Sequence, residues 1–420
     1  MYHLIQKNYR KYITIDEYLD KYNHISLPNI KNGIIVDFNF GLDNRSHRIL
    51  PIIQLATIKE AKMICKIFQN AYNNTYPFKK LEDKNEIKYM IKNQKYKWFI
   101  FRTIDNEIVG CVGAKLEFGK KRGYIFGFAI KKRFHGKIDL LKVWFITIYF
   151  LWNHYKNQIL VWTSEVRTFC TIPQYAESLV GLMPVGFLPN KDMFNNKLES
   201  EFFFIVYDKD VFKKYRSRKK IRILKEILPY YKYCNDRYDL GRPIIKNPIL
   251  NLNKRKILRL KDKIIIKTLS DKYNNKIKSL RIKNSKSYFQ YQYNLISNNI
   301  DNIKYFIESL EELVVFIREL RIYTEKLNVN YIECYVSAYN PKIQKIFNEA
   351  GFKPRGYIPC LDYNKKTNSF QDYILFNHYK GSIDPIIESN LIIEAKRLYR
   401  IYQEQNFLNN SESKVSQIFL

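Results

Sequence analysis

A nine-residue phrase occurs twice in this chain, 170 residues apart, and it constrains the fold more than any other feature. Residues 181–189 read GLMPVGFLP and residues 351–359 read GFKPRGYIP. Gly181/Gly351, Pro184/Pro354, Gly186/Gly356 and Pro189/Pro359 are identical. The whole chain holds only 14 Gly and 13 Pro, so four such matches do not come from composition. At the same offset VWTSEV (161–166) falls on YIECYV (331–336), and both read as strands. A repeat on this scale predicts two copies of one fold, the second with its front part reduced.

The chain has 420 residues, of which 46% are hydrophobic and 16% aromatic. That excludes global disorder, a collagen-like repeat and a small disulfide-stapled scaffold. Lys and Arg number 72 against 40 Asp and Glu, for a net charge of +32. The basic residues spread along the whole chain, which favours scattered solvated charge over a nucleic-acid surface. Six Cys include no C-x-x-C pair, and the six His are scattered. No metal site is expected, and reduced thiols point to the cytoplasm. The start, MYHLIQKNYRKY, has no apolar run typical of a signal peptide. Leu140 to Trp152 is the most apolar stretch, but it is short for a membrane span and holds Lys142, so it reads as a buried helix.

Periodicity supplies the element order. Ile58 to Tyr72 carries one apolar helical face, and Leu81 to Asn93 reads as a second, charged helix. Lys97 to Thr103, Ile108 to Phe118 and Tyr124 to Ile130 read as three antiparallel strands joined by turns at Asp105-Asn106 and at GKKRG. A helix from about Ile138 and a strand over Ile159 to Val166 follow. Residues 213–225 hold eight basic residues and no acidic one, and read as an exposed helix leading to a linker. Short strands are expected at 264–268, 276–283 and 288–296, then a helix over 303–326, a strand at 331–336 and a helix at 341–350. The fold class is α/β, layered. The expected boundaries are 1–50 (N-terminal extension), 51–212 (first domain), 213–255 (basic helix and linker), 256–380 (reduced second copy) and 381–420 (C-terminal helix or tail).

The chemistry centres on a strand, a basic turn and a helix start: YIFGFAI, KKRFHGK, IDLLKVW. A helix N-terminus presents unpaired N–H groups and the positive end of the macrodipole, which together suit a phosphate. Gly136 lets backbone approach a ligand closely. Strand alternation puts Thr163, Glu165 and Arg167 on one face, so Glu165 is a candidate general base or the partner of a nearby Lys or Arg. Glu117 is a second candidate. His135 can reach a phosphate or simply face solvent. Cys170 lacks an activating neighbour in the sequence and reads as a wall residue. The basic segments 213–225 and 254–286 can track a phosphate backbone, although the alternation of Tyr288 to Ile296 fits a strand.

The turn resembles the acyl-CoA motif of the GNAT acyltransferase superfamily, R/Q-x-x-G-x-G/A, here Arg133-Phe-His-Gly136-Lys-Ile138. Ile138 stands where the family has Gly or Ala. The hairpin DNEIVGCVGAKLEF resembles the family's second and third strands, and GLMPVGFLP its closing segment. The resemblance spans about 51–212 and, more weakly, 256–380. It implies two GNAT-like domains, each a mixed, mostly antiparallel sheet flanked by helices, the second degenerate. It further implies that the fourth and fifth strands splay around a pantetheine arm. Phe128, Ala129 and Ile130 would line that arm. Arg133 and the backbone amides of Phe134, His135, Gly136, Lys137, Ile138 and Asp139 would hold the diphosphate. The family often has a Tyr acid four residues before the closing Gly. Glu177 and Phe347 hold that place here, with Tyr175 nearby. The implied co-substrate is acetyl-CoA without a metal, and the implied partner is an amine-bearing small molecule or protein. The alternative is a non-catalytic binding module, associated with RNA or the ribosome through its basic surface.

Overall fold

The computed structural model describes residues 13–36, 48–383 and 385–409. The N-terminal stretches 1–12 and 37–47, and the tail 410–420, lie outside the described residues. After helix α1 (Ile15–Lys21) come strands β1 (Ile35–Val36) and β2 (Ile52–Leu55), helices α2 (Ala61–Tyr72) and α3 (Lys84–Lys92), and strands β3 (Tyr96–Arg102), β4 (Ile108–Glu117) and β5 (Arg122–Ile130). Helix α4 (Leu140–His154), strand β6 (Val161–Arg167), helix α5 (Thr171–Leu179) and the long hairpin β7 (Met183–Phe194) and β8 (Lys197–Tyr207) complete the first half.

Connecting elements follow: β9 (Arg222–Ile223), α6 (Leu228–Tyr238), β10 (Ile244–Ile245) and α7 (Lys254–Lys261). The second half runs β11 (Ile264–Ser270), β12 (Lys276–Ile282), β13 (Tyr288–Asn294), β14 (Asn299–Phe306), α8 (Leu310–Lys326), β15 (Tyr331–Ser337), α9 (Pro341–Glu349), β16 (Lys353–Asn364) and β17 (Ser369–Tyr379). Helix α10 (Ile393–Asn409) closes the described chain.

Among the described residues fifteen strands form one continuous sheet, ordered β1-β2-β3-β4-β5-β6-β8-β7-β16-β17-β15-β14-β13-β12-β11. Read inward from the β1 edge, five antiparallel strands, and from the β11 edge, four, are followed by a parallel partner and an antiparallel hairpin. The two halves meet where Gly186 of β7 pairs with Gly356 of β16, the matched glycines of the repeated phrase. Two backbones touch there. A Cβ on Gly356 would lie 2.4 Å from the Val185 carbonyl oxygen and 2.6 Å from Gly186 Cα.

The halves were expected as separate domains, but one hydrophobic core runs through both. A smaller core lies under α2 and α3. Helices α6 and α10 cover the junction. Tyr233 donates to the Pro184 carbonyl, Tyr231 meets the Tyr357 ring edge-on, and Tyr399 and Tyr402 pack on Phe187.

Helix α4 is apolar all round because it is covered all round. Val143 to Trp152 are buried, with the sheet on one side and α1 on the other, where Tyr18 donates to the Phe145 carbonyl. No helix among the described residues is long and apolar enough to cross a membrane.

Two expectations need correction. Residues 213–225 are not one exposed helix. A single wide turn, Val211–Tyr215, gives way to extended chain in which Arg216 binds Asp372 and in which Ile221, Ile223 and Leu224 are buried. The helix expected from Ile303 starts at Leu310 instead, with a capping box between Ser309 and Glu312. The preceding residues form β14, because they pair with β13.

Candidate functional site

Strand β5 pairs with β6 only from Arg122 to Ile125, against Val161 to Ser164. Beyond that the two strands part. Each stays paired on its outer side, β5 with β4 to Ile130 and β6 with β8 to Arg167. A bulge helps to drive the parting: Phe126 and Ala129 oppose Gly113 and Cys111, so Gly127 and Phe128 share the place of one residue. Gly127 takes φ +64°, a conformation that glycine adopts without strain, and a Cβ there would stand 3.1 Å from the Phe68 ring and 3.3 Å from that of Trp98. Past the bulge, the edge of β5 that would face β6 has no strand partner among the described residues.

The gap opens a cavity of about 290 Å³. Tyr72, Tyr76, Phe126 and Phe194 wall it on the α2 side of the sheet, and Phe128, Leu140 and Trp144 on the α4 side. Tyr76 is ringed by Tyr72 at 4.5 Å and Phe194 at 6.1 Å between centroids. Three acidic side chains reach the cavity: Glu165, Glu201 and Glu177.

Glu165 lies on the face that strand alternation assigned it. Of the two readings the sequence left open, the structure shows the partner of a cation, and the same carboxylate lines the cavity. Lys191 of β7 contacts its Oε1 at 2.7 Å, and the Tyr124 hydroxyl donates to its Oε2 at 3.4 Å. Lys191 also reaches Glu333 of β15 at 3.2 Å, so a buried ammonium joins carboxylates from the two halves. Burial disfavours its charge, yet Glu165 and Glu333 hold the ammonium well above the usual lysine range. Arg167 makes two hydrogen bonds of 2.6 Å to Glu199 and lies over Phe194.

Glu201 stands opposite Arg167 in register and is 4% exposed. Its Oε2 has no hydrogen-bond partner among the described residues. Burial, then Asp192 and Glu165, push its carboxyl well above the usual range, against the pull of Lys191 and Arg167. Burial also raises Asp192, to about 6. Glu177 reaches the cavity from α5. Burial pushes its carboxyl up to about 8, with the Ser164 hydroxyl opposing, and its Oε2 likewise has no partner among the described residues.

The other expected residues fall as follows. Glu117 is outside the cavity lining. Burial pushes its carboxyl up, but Arg122 and Lys115 outweigh that and hold it at about 2, a structural ion pair. Tyr175 is buried in the main core rather than among the cavity residues, although Ala176 and Glu177 beside it do line the cavity. Cys170 is the N-cap residue of α5, where its carbonyl accepts from Gln174, and it does not wall the cavity.

The basic turn differs from expectation in its backbone. The amides of Phe134, His135 and Lys137 donate to carbonyls within the turn, and that of Asp139 donates to Ile49. The Asp139 carboxylate caps the start of α4 by accepting from Lys142 N. Arg133 and Lys131 pair with Glu107, and a His135 ring nitrogen lies 2.9 Å from the Ile130 carbonyl oxygen. Ile138 is buried. Gly136 has φ +74°, and no atom of the described residues lies within 4 Å of where a Cβ would stand. Among the described residues the turn therefore keeps open space at its glycine.

Residues 61–137 match the acetyltransferase (GNAT) family, from the start of α2 through the basic turn. The match lies within the first half and takes in the bulge on β5 and both Arg133 and Gly136. Ribosomal-protein-S5-alanine acetyltransferase from Vibrio fischeri superposes at 13% identity and TM-score 0.34, covering 42% of this chain and 98% of its own. Spermidine N-acetyltransferase from Vibrio cholerae, solved with CoA and spermine, superposes at 12% identity and TM-score 0.32, covering 37% of this chain and 94% of its own. No curated protein matches the chain.

Lys191, Glu201, Asp192 and Glu333 had not been singled out from the sequence. The period-two acids of KLESEF, Glu199 and Glu201, carry a signal like that of Glu165 and Arg167 once β8 is paired with β6. Nothing local announces Lys191, whose partners come from β6 and β15.

Proposed function

We propose that the first half is an acyl-CoA-dependent N-acyltransferase, with acetyl-CoA as donor and an amine as acceptor. The observation that carries this reading is the parting of β5 from β6 into an aromatic-walled cavity with carboxyl groups on both faces. In this reading the pantetheine arm lies along the unpaired edge of Phe128, Ala129 and Ile130. The diphosphate is held at the turn by Arg133, Lys137 and the open cradle of Gly136, rather than by the full run of amides from Phe134 to Asp139.

The amine then attacks the thioester carbonyl carbon and the C–S bond breaks. Glu165, oriented by Tyr124 and Lys191, takes a proton from the nitrogen. Glu177, neutral below about pH 8, supplies one to the departing thiolate from the other face. Positioning of the two reactants contributes the larger share of the rate.

The second half, in the same reading, is a copy of the fold without the helices between its first two strands. Its β14 and β15 pair only at Asn299–Tyr331 and Ile300–Ile332 before parting. At the repeat's offset Gly136 falls on Phe306, which is the last residue of β14, and only residues 307–309 separate β14 from α8, so that copy has no turn to take a diphosphate and serves as a wall.

A binding module without catalysis is the second reading, and a specific observation favours it: Asp139 places a carboxylate, and Ile49 a carbonyl, at the start of α4. Gly136→Glu separates the two. With its fold intact by circular dichroism, it is expected to lose acetyl-CoA binding at least ~10-fold, since it sets a like charge against the diphosphate. Binding equal to the parent's contradicts the acyl-CoA reading.

A further inference from the structure

On the α2 side of the cavity the acidic side chains outnumber the cations that pair with them. Strands β6, β7 and β8 bring Glu165, Asp192, Glu199 and Glu201 to one place, and β15 adds Glu333. Two cations answer them. Lys191 is held between Glu165 and Glu333, and Arg167 lies in the two-pronged grip of Glu199. Lys80 also lines the cavity. Asp192 and Glu201 are left over. Asp192 accepts from Asn299 and does not line the cavity. Glu201 lines it, is 4% exposed, and its Oε2 has no partner among the described residues. An acid in that position is costly to bury unless something pairs with it. Tyr72, Tyr76 and Phe194 line the same cavity, and ring faces attract cations, as Arg167 over Phe194 already shows.

Register sets the spacing. Phe203 lies opposite Glu165 and Glu201 lies opposite Arg167, so Glu165 and Glu201 are diagonal neighbours on adjoining strands. Diagonal neighbours stand roughly 7–8 Å apart. A short aliphatic chain with a nitrogen at each end spans that distance.

We propose that the acceptor is an aliphatic amine carrying a second positive charge, which Glu201 and the surrounding rings hold while the reacting nitrogen lies at Glu165. The assignment of the reacting end rests on the acyl-transfer reading. The cation site at Glu201 stands on the geometry alone.

The test uses the purified full chain, titrated by calorimetry with three four-carbon probes: the terminal diamine, the monoamine and the terminal diol. The diamine is expected to bind at least ~10-fold tighter than the monoamine, because a hydrogen bond to a charged group is worth about 1.5–3 kcal/mol. The diol is expected not to bind. Glu201→Gln should bring the diamine down to the monoamine's affinity. Equal affinities of the two amines for the parent overturn the proposal, and so does a diamine preference that survives in Glu201→Gln. If that variant does not fold, the ratio measured on the parent decides alone. Titration of acetyl-CoA beside these probes keeps the two claims apart. Diamine preference without acetyl-CoA binding removes the acyl-transfer reading and leaves the cation site. Acetyl-CoA binding without diamine preference does the reverse.

Discussion

Glu177 shows how burial alone sets a side chain's chemistry. Its carboxyl ionises near 4.5 in an unfolded chain and at about 8 in the fold, because desolvation outweighs the help of Ser164. The native state therefore holds a proton that the unfolded state has lost across that window. Stability from this group is complete below about pH 4.5 and falls as pH rises towards 8, at about 1.4 kcal/mol per unit. Glu177→Gln removes the titration. The melting temperatures of variant and parent should therefore be close at pH 5 and diverge by pH 8.5, the variant melting higher. A constant offset across pH would show that Glu177 is not held neutral. The sequence placed this residue at the family's acid position, and it placed Glu165 by alternation alone. It gave no hint of Glu201 or Lys191 as site residues, since what defines them is a partner, or the lack of one, across distant strands.

Elements read well wherever one period held over a whole segment. The aromatic-rich strands β3, β4 and β5 between their turns, the apolar face of α2 and the unbroken apolar run of α4 were all legible, within about three residues at the ends. Two segments misled for physical reasons. In 299–326, a strand runs almost directly into a helix, and apolar residues such as Ile303 suit both periods. In 213–225, the charges suggested a solvated helix, but Arg216 goes inward to Asp372 and the apolar residues follow it.

Strand β7 ties the halves together through Lys191, which binds one carboxylate from each. Removing the cation leaves two buried acids facing each other. Lys191→Met is expected to cost about 3–5 kcal/mol in a denaturant titration. Adding Glu165→Gln should recover part of that loss, because one of the two acids no longer needs a partner. A single variant as stable as the parent would mean that the bridge is not formed.

At the scale of the molecule, two halves share one sheet and one core, joined backbone to backbone at Gly186 and Gly356. The repeated phrase was legible from glycines and prolines alone. That its two copies meet was not, because a repeat states likeness and says nothing of contact. Gly356→Ala puts a methyl group against the Val185 carbonyl and Gly186 Cα, neither of which can rotate away. The expected loss is about 3 kcal/mol, at the upper end of overpacking costs, in the denaturation midpoint of the whole chain. A midpoint unchanged within error would place the halves further apart than described.

The most direct test of the central claim, that acyl-CoA occupies the gap between β5 and β6, is hydrogen exchange of the full chain with and without acetyl-CoA. Protection should rise in peptides covering Phe126 to Asp139, with no change over Asn299 to Phe306, where the second half parts its own strands. No change at 126–139, or protection confined to 299–306, would contradict the account.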